Sequence, residues 1–155
     1  MKKNYNNKYS VSVVMPSYNG EKILRKNLRH LIYAKADPAN NIVEIIVVND
    51  GSVDKTSQFL RKNYKDIKLL ENKSNRGFSY SVNKGVKKAK GDLLLLINID
   101  VIPNRNFLNT IFKHFDNKKV FAVSLHEKGF GWSKAYFSNG YIQLEMGEES
   151  KTANE

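Results

Sequence analysis

Short apolar runs separated by segments with helical spacing constrain this chain more than any other feature of it. Val11-Ser12-Val13-Val14-Met15 is a β-branched run stopped by Pro16, and Val43 to Val48 is nearly continuous. Ile67 to Leu70 is brief, Leu93 to Ile99 is apolar almost throughout, and Val120 to Ser124 closes the series. Runs of this kind read as strands covered on both faces. Between them, Leu24, Leu28, Leu31 and Ile32 recur at helical spacing from Glu21 to about Lys35, where Asp37-Pro38 ends the pattern. Asp54 is suited to cap a second helix through about Asn63. Phe78, Val82, Val86 and Ala89 mark a third, with Gly91 near its end, and Phe107, Leu108, Ile111, Phe112 and Phe115 a fourth. Strands alternating with helices four times over predict an α/β fold: a mostly parallel open sheet, Rossmann-like, with helices on both faces.

After His126 the pattern changes. Ala135 to Ser138 and Tyr141 to Met146 flank Asn139-Gly140, a strong type I′ hairpin signal, and Gly147 to Glu155 is polar and patternless. The expected division is a polar tail over 1–10, a binding domain over 11–125, and an aromatic loop, hairpin and tail over 126–155. The aromatic residues Phe130, Trp132, Tyr136, Phe137 and Tyr141 read as packing for a further half of the fold, with contact to a sugar or lipid-linked ligand as the alternative. Exposed, they would favour self-association.

The 155 residues contain no cysteine, which excludes disulfides and thiolate metal sites. The N-terminal ten residues hold no apolar stretch, and Leu93 to Ile97 is too short to span a bilayer. A cytoplasmic protein is expected, with peripheral contact at the inner membrane face as its furthest association. The formal net charge of +11 favours anionic partners: nucleic acid, an anionic membrane or a phosphate-bearing substrate. The lysines spread over every helix rather than one face, so a basic nucleic-acid-binding module is the alternative and nucleic acid is not the expected partner.

Ligands of open α/β sheets bind at the carboxyl ends of strands. Pro16-Ser17-Tyr18-Asn19 follows the first strand, Asn49-Asp50-Gly51-Ser52-Val53-Asp54 the second, and Asn98-Ile99-Asp100 the fourth. In an extended segment, Asn98 and Asp100 would share one side and suit a hard cation such as Mg²⁺ or Mn²⁺ on a diphosphate. No dinucleotide fingerprint, P-loop or G-x-S-x-G elbow occurs, and the three histidines are scattered.

These strand ends, in this order, resemble the family 2 glycosyltransferases of the GT-A type. The likeness runs on through Asn75-Arg76-Gly77-Phe78, Asn83-Lys84-Gly85, Ala89-Lys90-Gly91-Asp92 and Leu94-Leu95-Leu96-Ile97-Asn98-Ile99-Asp100. The resemblance implies that Pro16, Tyr18, Asn19, Asp50, Asn75 and Gly77 line a nucleotide pocket. It implies that Asp100, with Asn98, holds a divalent metal, Mg or Mn. Asn98 stands where the family's D-x-D motif has its first Asp, a variant similar to that of rhamnosyltransferase-like members. The implied donor is a nucleotide-diphospho-sugar, and the implied acceptor a glycan or lipid-linked hydroxyl. The family's catalytic base lies in a downstream acceptor-binding half. Glu145, Glu148 and Glu149 do not match its context, so the catalytic residue stays unassigned. The likeness implies a C-terminally truncated fold that binds its donor weakly and transfers little sugar; the alternative is a degenerate, non-catalytic interaction domain.

Overall fold

The computed structural model describes residues 8–125, 133–138 and 141–146, the last two ranges by their backbone alone. The chain divides into two units, 1–116 and 117–155.

The first unit is a four-stranded parallel sheet in the order β3-β2-β1-β4. Its strands are β1 (Val11–Ser17), β2 (Ile42–Asn49), β3 (Lys68–Glu71) and β4 (Leu93–Leu96). Between them run α1 (Glu21–Lys35), α2 (Thr56–Asn63) and α3 (Phe78–Val86). One sheet face, carrying Val11, Val13, Met15, Ile45 and Val47, packs on Leu24, Leu28 and Leu31 of α1 and Phe59 and Leu60 of α2. Val14 and Val48 face the other way and meet Gly85 of α3. The successive strand residues alternate between faces as a pleat requires, and the expected two-sided α/β layering is present.

Three expectations fail in physically informative ways. The leucine run ends as strand at Leu96, and it is an edge strand: Leu94 and Leu96 are 46% and 53% exposed, where full burial was expected. The segment from Phe107 to Phe115 is a series of turns leading into a 3₁₀ helix over Phe112–Asp116. Leu108 and Phe112 are still buried at helical spacing. The segment's backbone bonds close at i to i−3, Ile111 N–H to Leu108 O at 3.1 Å and His114 N–H to Ile111 O at 3.0 Å, and its start is pinned by the buried Asn40 carboxamide. Its Oδ1 accepts from Leu108 N–H at 3.0 Å, and its Nδ2 donates to Arg105 O at 2.6 Å. Val120 to Ser124 forms no strand, and Phe121 is 98% exposed.

In the second unit, β5 (Ser133–Ser138) and β6 (Tyr141–Met146) pair antiparallel with Ser138 opposite Tyr141. That register is the expected hairpin with a two-residue connection. Asn139-Gly140, the aromatic side chains after His126, the tail from 147 and most of the N-terminal tail lie outside the described residues. No helix among the described residues is long and apolar enough to cross a membrane.

Candidate nucleotide site at the carboxyl edge of the sheet

Strands β1, β2 and β3 end level with one another, Ser17 opposite Asn49 and Asn49 opposite Glu71. Backbone bonds carry the ladder one step further: Asp50 N–H donates to Ser17 O and Asn72 N–H to Asn49 O, both at 2.8 Å. On the other side of β1, Ile97 N–H reaches Val14 O at 3.2 Å. Strand order reverses between β1 and β4, so the Pro16–Asn19 end and the Asn98–Asp100 segment flank the switch point, where open α/β sheets bind ligands.

Asp50 organises the site. It is 4% exposed, and its carboxylate accepts from Asn72 Nδ2 at 2.6 Å, Arg76 N–H at 2.9 Å and Gly77 N–H at 2.8 Å. Burial works against its ionisation, but the bonds from Asn72, from the Arg76 and Gly77 amides and from Ser81 outweigh it. Together they hold the carboxyl below the ordinary carboxylate range. The turn after it needs glycine: Gly51 has φ +69°, and a Cβ there would press on the backbone of Ser74. The loop after β2 and the loop after β3 are thereby locked to each other.

Beside that lock lies a cavity of about 160 Å³ lined by Pro16, Ser17, Tyr18, Asp50, Asn75, Gly77, Phe78 and Ser81. Five of the six residues expected at a nucleotide pocket line it. The sixth, Asn19, is turned elsewhere, its Oδ1 accepting from Val53 N–H at 3.0 Å. A larger groove of about 360 Å³ along α2 and β3 holds none of the expected residues, and its Arg61 is paired with Glu71. Ser81 and Asn72 belong to the site or its support and are not named from sequence, while Phe78 is named there as a helix and family-stretch residue with no binding role. The strand-end rule would have found Asn72, which directly follows β3.

The loop from Asn49 to Thr56 also closes the start of α1. Ser52 Oγ accepts from Asn19 N–H at 2.9 Å, Thr56 Oγ1 from Gly20 N–H at 3.1 Å, and Asp54 from Glu21 N–H at 3.0 Å. Asp54 also accepts from Thr56 N–H at 3.0 Å, so one carboxylate serves two helix starts. Its burial is outweighed by these bonds, the Thr56 hydroxyl foremost, and its carboxyl too lies below the ordinary range.

Asn98 and Asp100 are both exposed, but the segment is not extended as expected. It leaves the strand after Leu96 and turns at Ile99-Asp100, with Val101 N–H donating to Asn98 O at 3.4 Å. Two inter-strand spacings, about 10 Å, separate the ends of β2 and β4 across the end of β1. The side chain of Asp100 has no partner among the described residues, which also hold no group of three or more His, Cys, Asp or Glu suited to a metal.

The glycosyl transferase family 2 model matches residues 12–152, and the chain belongs to that family. The uncharacterized glycosyltransferase RT0329 of Rickettsia typhi is 36% identical over 130 residues, 78% of this chain and 38% of its own length. The poly(ribitol-phosphate) β-N-acetylglucosaminyltransferase TarS of Staphylococcus aureus is 30% identical over 121 residues, 76% of this chain and 21% of that protein. Among solved structures, TarS 1–349 in complex with UDP-GlcNAc aligns with a TM-score of 0.61 at 24% identity, over 81% of this chain and 39% of that one. The mannosyltransferase PcManGT of Pyrobaculum calidifontis, in complex with GDP-Man and Mn²⁺, aligns with a TM-score of 0.61 at 23% identity, over 82% and 35%. The fold is of the GT-A glycosyltransferase type. The chain spans 31–38% of the length of the first three curated relatives.

Proposed function

We propose that these residues form the donor-binding part of a nucleotide-sugar-dependent glycosyltransferase. The observation that carries the reading is the convergence of Pro16, Tyr18, Asp50, Asn75 and Gly77 on one cavity beside the topological switch point. In this reading the cavity takes the nucleoside, with Tyr18 and Phe78 as its exposed aromatic walls. Asn19 supports the pocket through the Val53 amide rather than by direct contact.

Asn98 and Asp100 would hold a divalent cation, Mg²⁺ or Mn²⁺, against the diphosphate. The donor set fits: both side chains offer hard oxygens and are exposed, and the Asp100 carboxylate is uncommitted among the described residues. Such ions characteristically take one or two side chains and fill the remaining positions from phosphate and water. Bound there, the cation neutralises charge that develops on the departing diphosphate. The acceptor class proposed is a glycan or lipid-linked hydroxyl, supported by a relative in Methanococcus voltae named for 3-β transfer onto dolichyl N-acetyl-α-D-glucosaminyl phosphate. Inverting transfer needs a base to deprotonate that hydroxyl, and none is assigned here. Binding of the donor, rather than turnover, is the property proposed for the 155 residues alone.

Calorimetric titration with UDP, dTDP and GDP, each with and without Mn²⁺, tests the reading. One diphosphate should bind, more tightly with metal, and Asp100→Ala should remove the metal-dependent gain. A folded chain that binds none of the three refutes it.

A further inference from the structure

Resting on that reading, we propose that Asn27 is a positioning residue that aims the Asp100 carboxylate by holding its backbone from behind. Asn27 lies on the buried face of α1, 7% exposed, between Leu24 and Leu28. Its Nδ2 donates to Ile99 O at 3.3 Å and to Asp100 O at 3.2 Å, reaching 72 and 73 residues along the chain. Chemistry fixes the amide this way round, because the reverse would set Oδ1 against two carbonyl oxygens. Among the described residues, the other hydrogen bonds that hold the backbone between Ile97 and Val101 are the link of Ile97 to β1 and the turn from Val101 to Asn98. With no side-chain partner of its own, Asp100 takes its direction from its backbone, and Asn27 holds that backbone.

The carboxamide does this at a cost to itself. Its Oδ1 is buried and has no hydrogen-bond partner, as has Ser17 Oγ; these two are the buried side-chain atoms so placed among the described residues. Both flank the same segment, since a Cβ added at Gly20 would meet both Ser17 Oγ and Ile99 Cδ1. A residue chosen only for stability at this α1 position, among leucines, would be apolar. Asn27→Leu removes a buried unpaired acceptor and adds apolar contact, while the freed carbonyls of the exposed turn can take water. Loss of ligand function without loss of stability is therefore the signature that separates positioning from packing.

The test uses the 155-residue chain as wild type, Asn27→Leu, Asn27→Asp and Asp100→Ala. Free Mn²⁺ is followed by its paramagnetic resonance signal in the presence of UDP, dTDP and GDP in turn, alongside melting temperature and amide exchange of residues 97–101. Both Asn27 variants should weaken Mn²⁺ binding about tenfold, the usual effect of removing a group that orients a metal ligand. Asn27→Leu should keep its melting temperature, and exchange at 99–101 should quicken in both. Should Asn27→Leu fail to fold, Asn27→Asp, of the same shape and read above the pH at which its buried carboxyl ionises and loses its donor, decides the matter. Full Mn²⁺ affinity in the Asn27 variants while Asp100→Ala abolishes it overturns the proposal and leaves the donor-site reading standing. Unchanged exchange at 99–101 overturns it as well. Mn²⁺ affinity untouched by Asp100→Ala removes the metal reading itself, and this inference with it.

Discussion

The carboxylate of Asp50, at the end of β2, accepts the backbone N–H of Gly77, at the start of α3, across 2.8 Å. That bond and its neighbour from Arg76 shape the loop that presents Asn75 and Gly77 to the cavity. Replacing Asp50 by Ala should therefore act twice. It leaves the Arg76 amide without its acceptor and the Gly77 amide with Asn75 Oδ1 alone, at a cost of about 1–3 kcal/mol in stability. It should also weaken nucleotide binding beyond the loss of any direct contact, since the loop relaxes. Chemical denaturation and calorimetry on the one variant separate the two effects.

The same carboxylate sets a pH dependence. Asp50 and Asp54 both lie below their ordinary value when folded. A depressed folded pKa contributes stability that is complete above the unfolded value, about 3.9, and lost as pH falls through the folded one. The urea midpoint should be insensitive to these two groups between roughly pH 5 and 8 and fall below about pH 4. Asp50→Asn should flatten part of that acid limb.

Gly51→Ala tests the lock between the loops. An L side chain at φ +69° is strained, and here it also meets the backbone of Ser74. A loss of about 1–3 kcal/mol is expected, read as a lower melting temperature.

Asn98→Asp should act in the opposite sense to Asp100→Ala. A second carboxylate raises the ligand charge at an exposed turn, where no buried partner is disturbed. Mn²⁺-dependent nucleotide binding should tighten by about three- to tenfold, since site affinity follows ligand charge. Metal-dependent binding unchanged in both variants would place the cation elsewhere.

Much of the fold was legible because α1 and β2 carry their own instructions. Leu24, Leu28 and Leu31 fix one helical face, and Ile45 to Val48 cannot be anything but buried. The run of leucines in β4 was harder, since an all-apolar strand has no period-2 sign to say which face is open. The Phe107–Phe115 segment misled because its helical pattern is real and its burial is real. Its backbone bonds close at i to i−3, and a side chain 68 residues away, Asn40, pins its start, which no local window contains. Of the candidate site, the strand ends were readable from position alone. The turn at Ile99-Asp100 and the rotation of Asn19 toward Val53 were not, because long-range bonds to Asn27 and to the 49–56 loop decide them.

The bonds that tie Asn19, Gly20 and Glu21 to Ser52, Thr56 and Asp54 have a consequence for chimeras. Exchanging residues 17–21 with those of a relative while keeping 49–56 would join a helix start to acceptors shaped for another sequence. The two stretches, about thirty residues apart in the chain, form one transplantable cassette. A graft that moves them together should fold where either half alone does not.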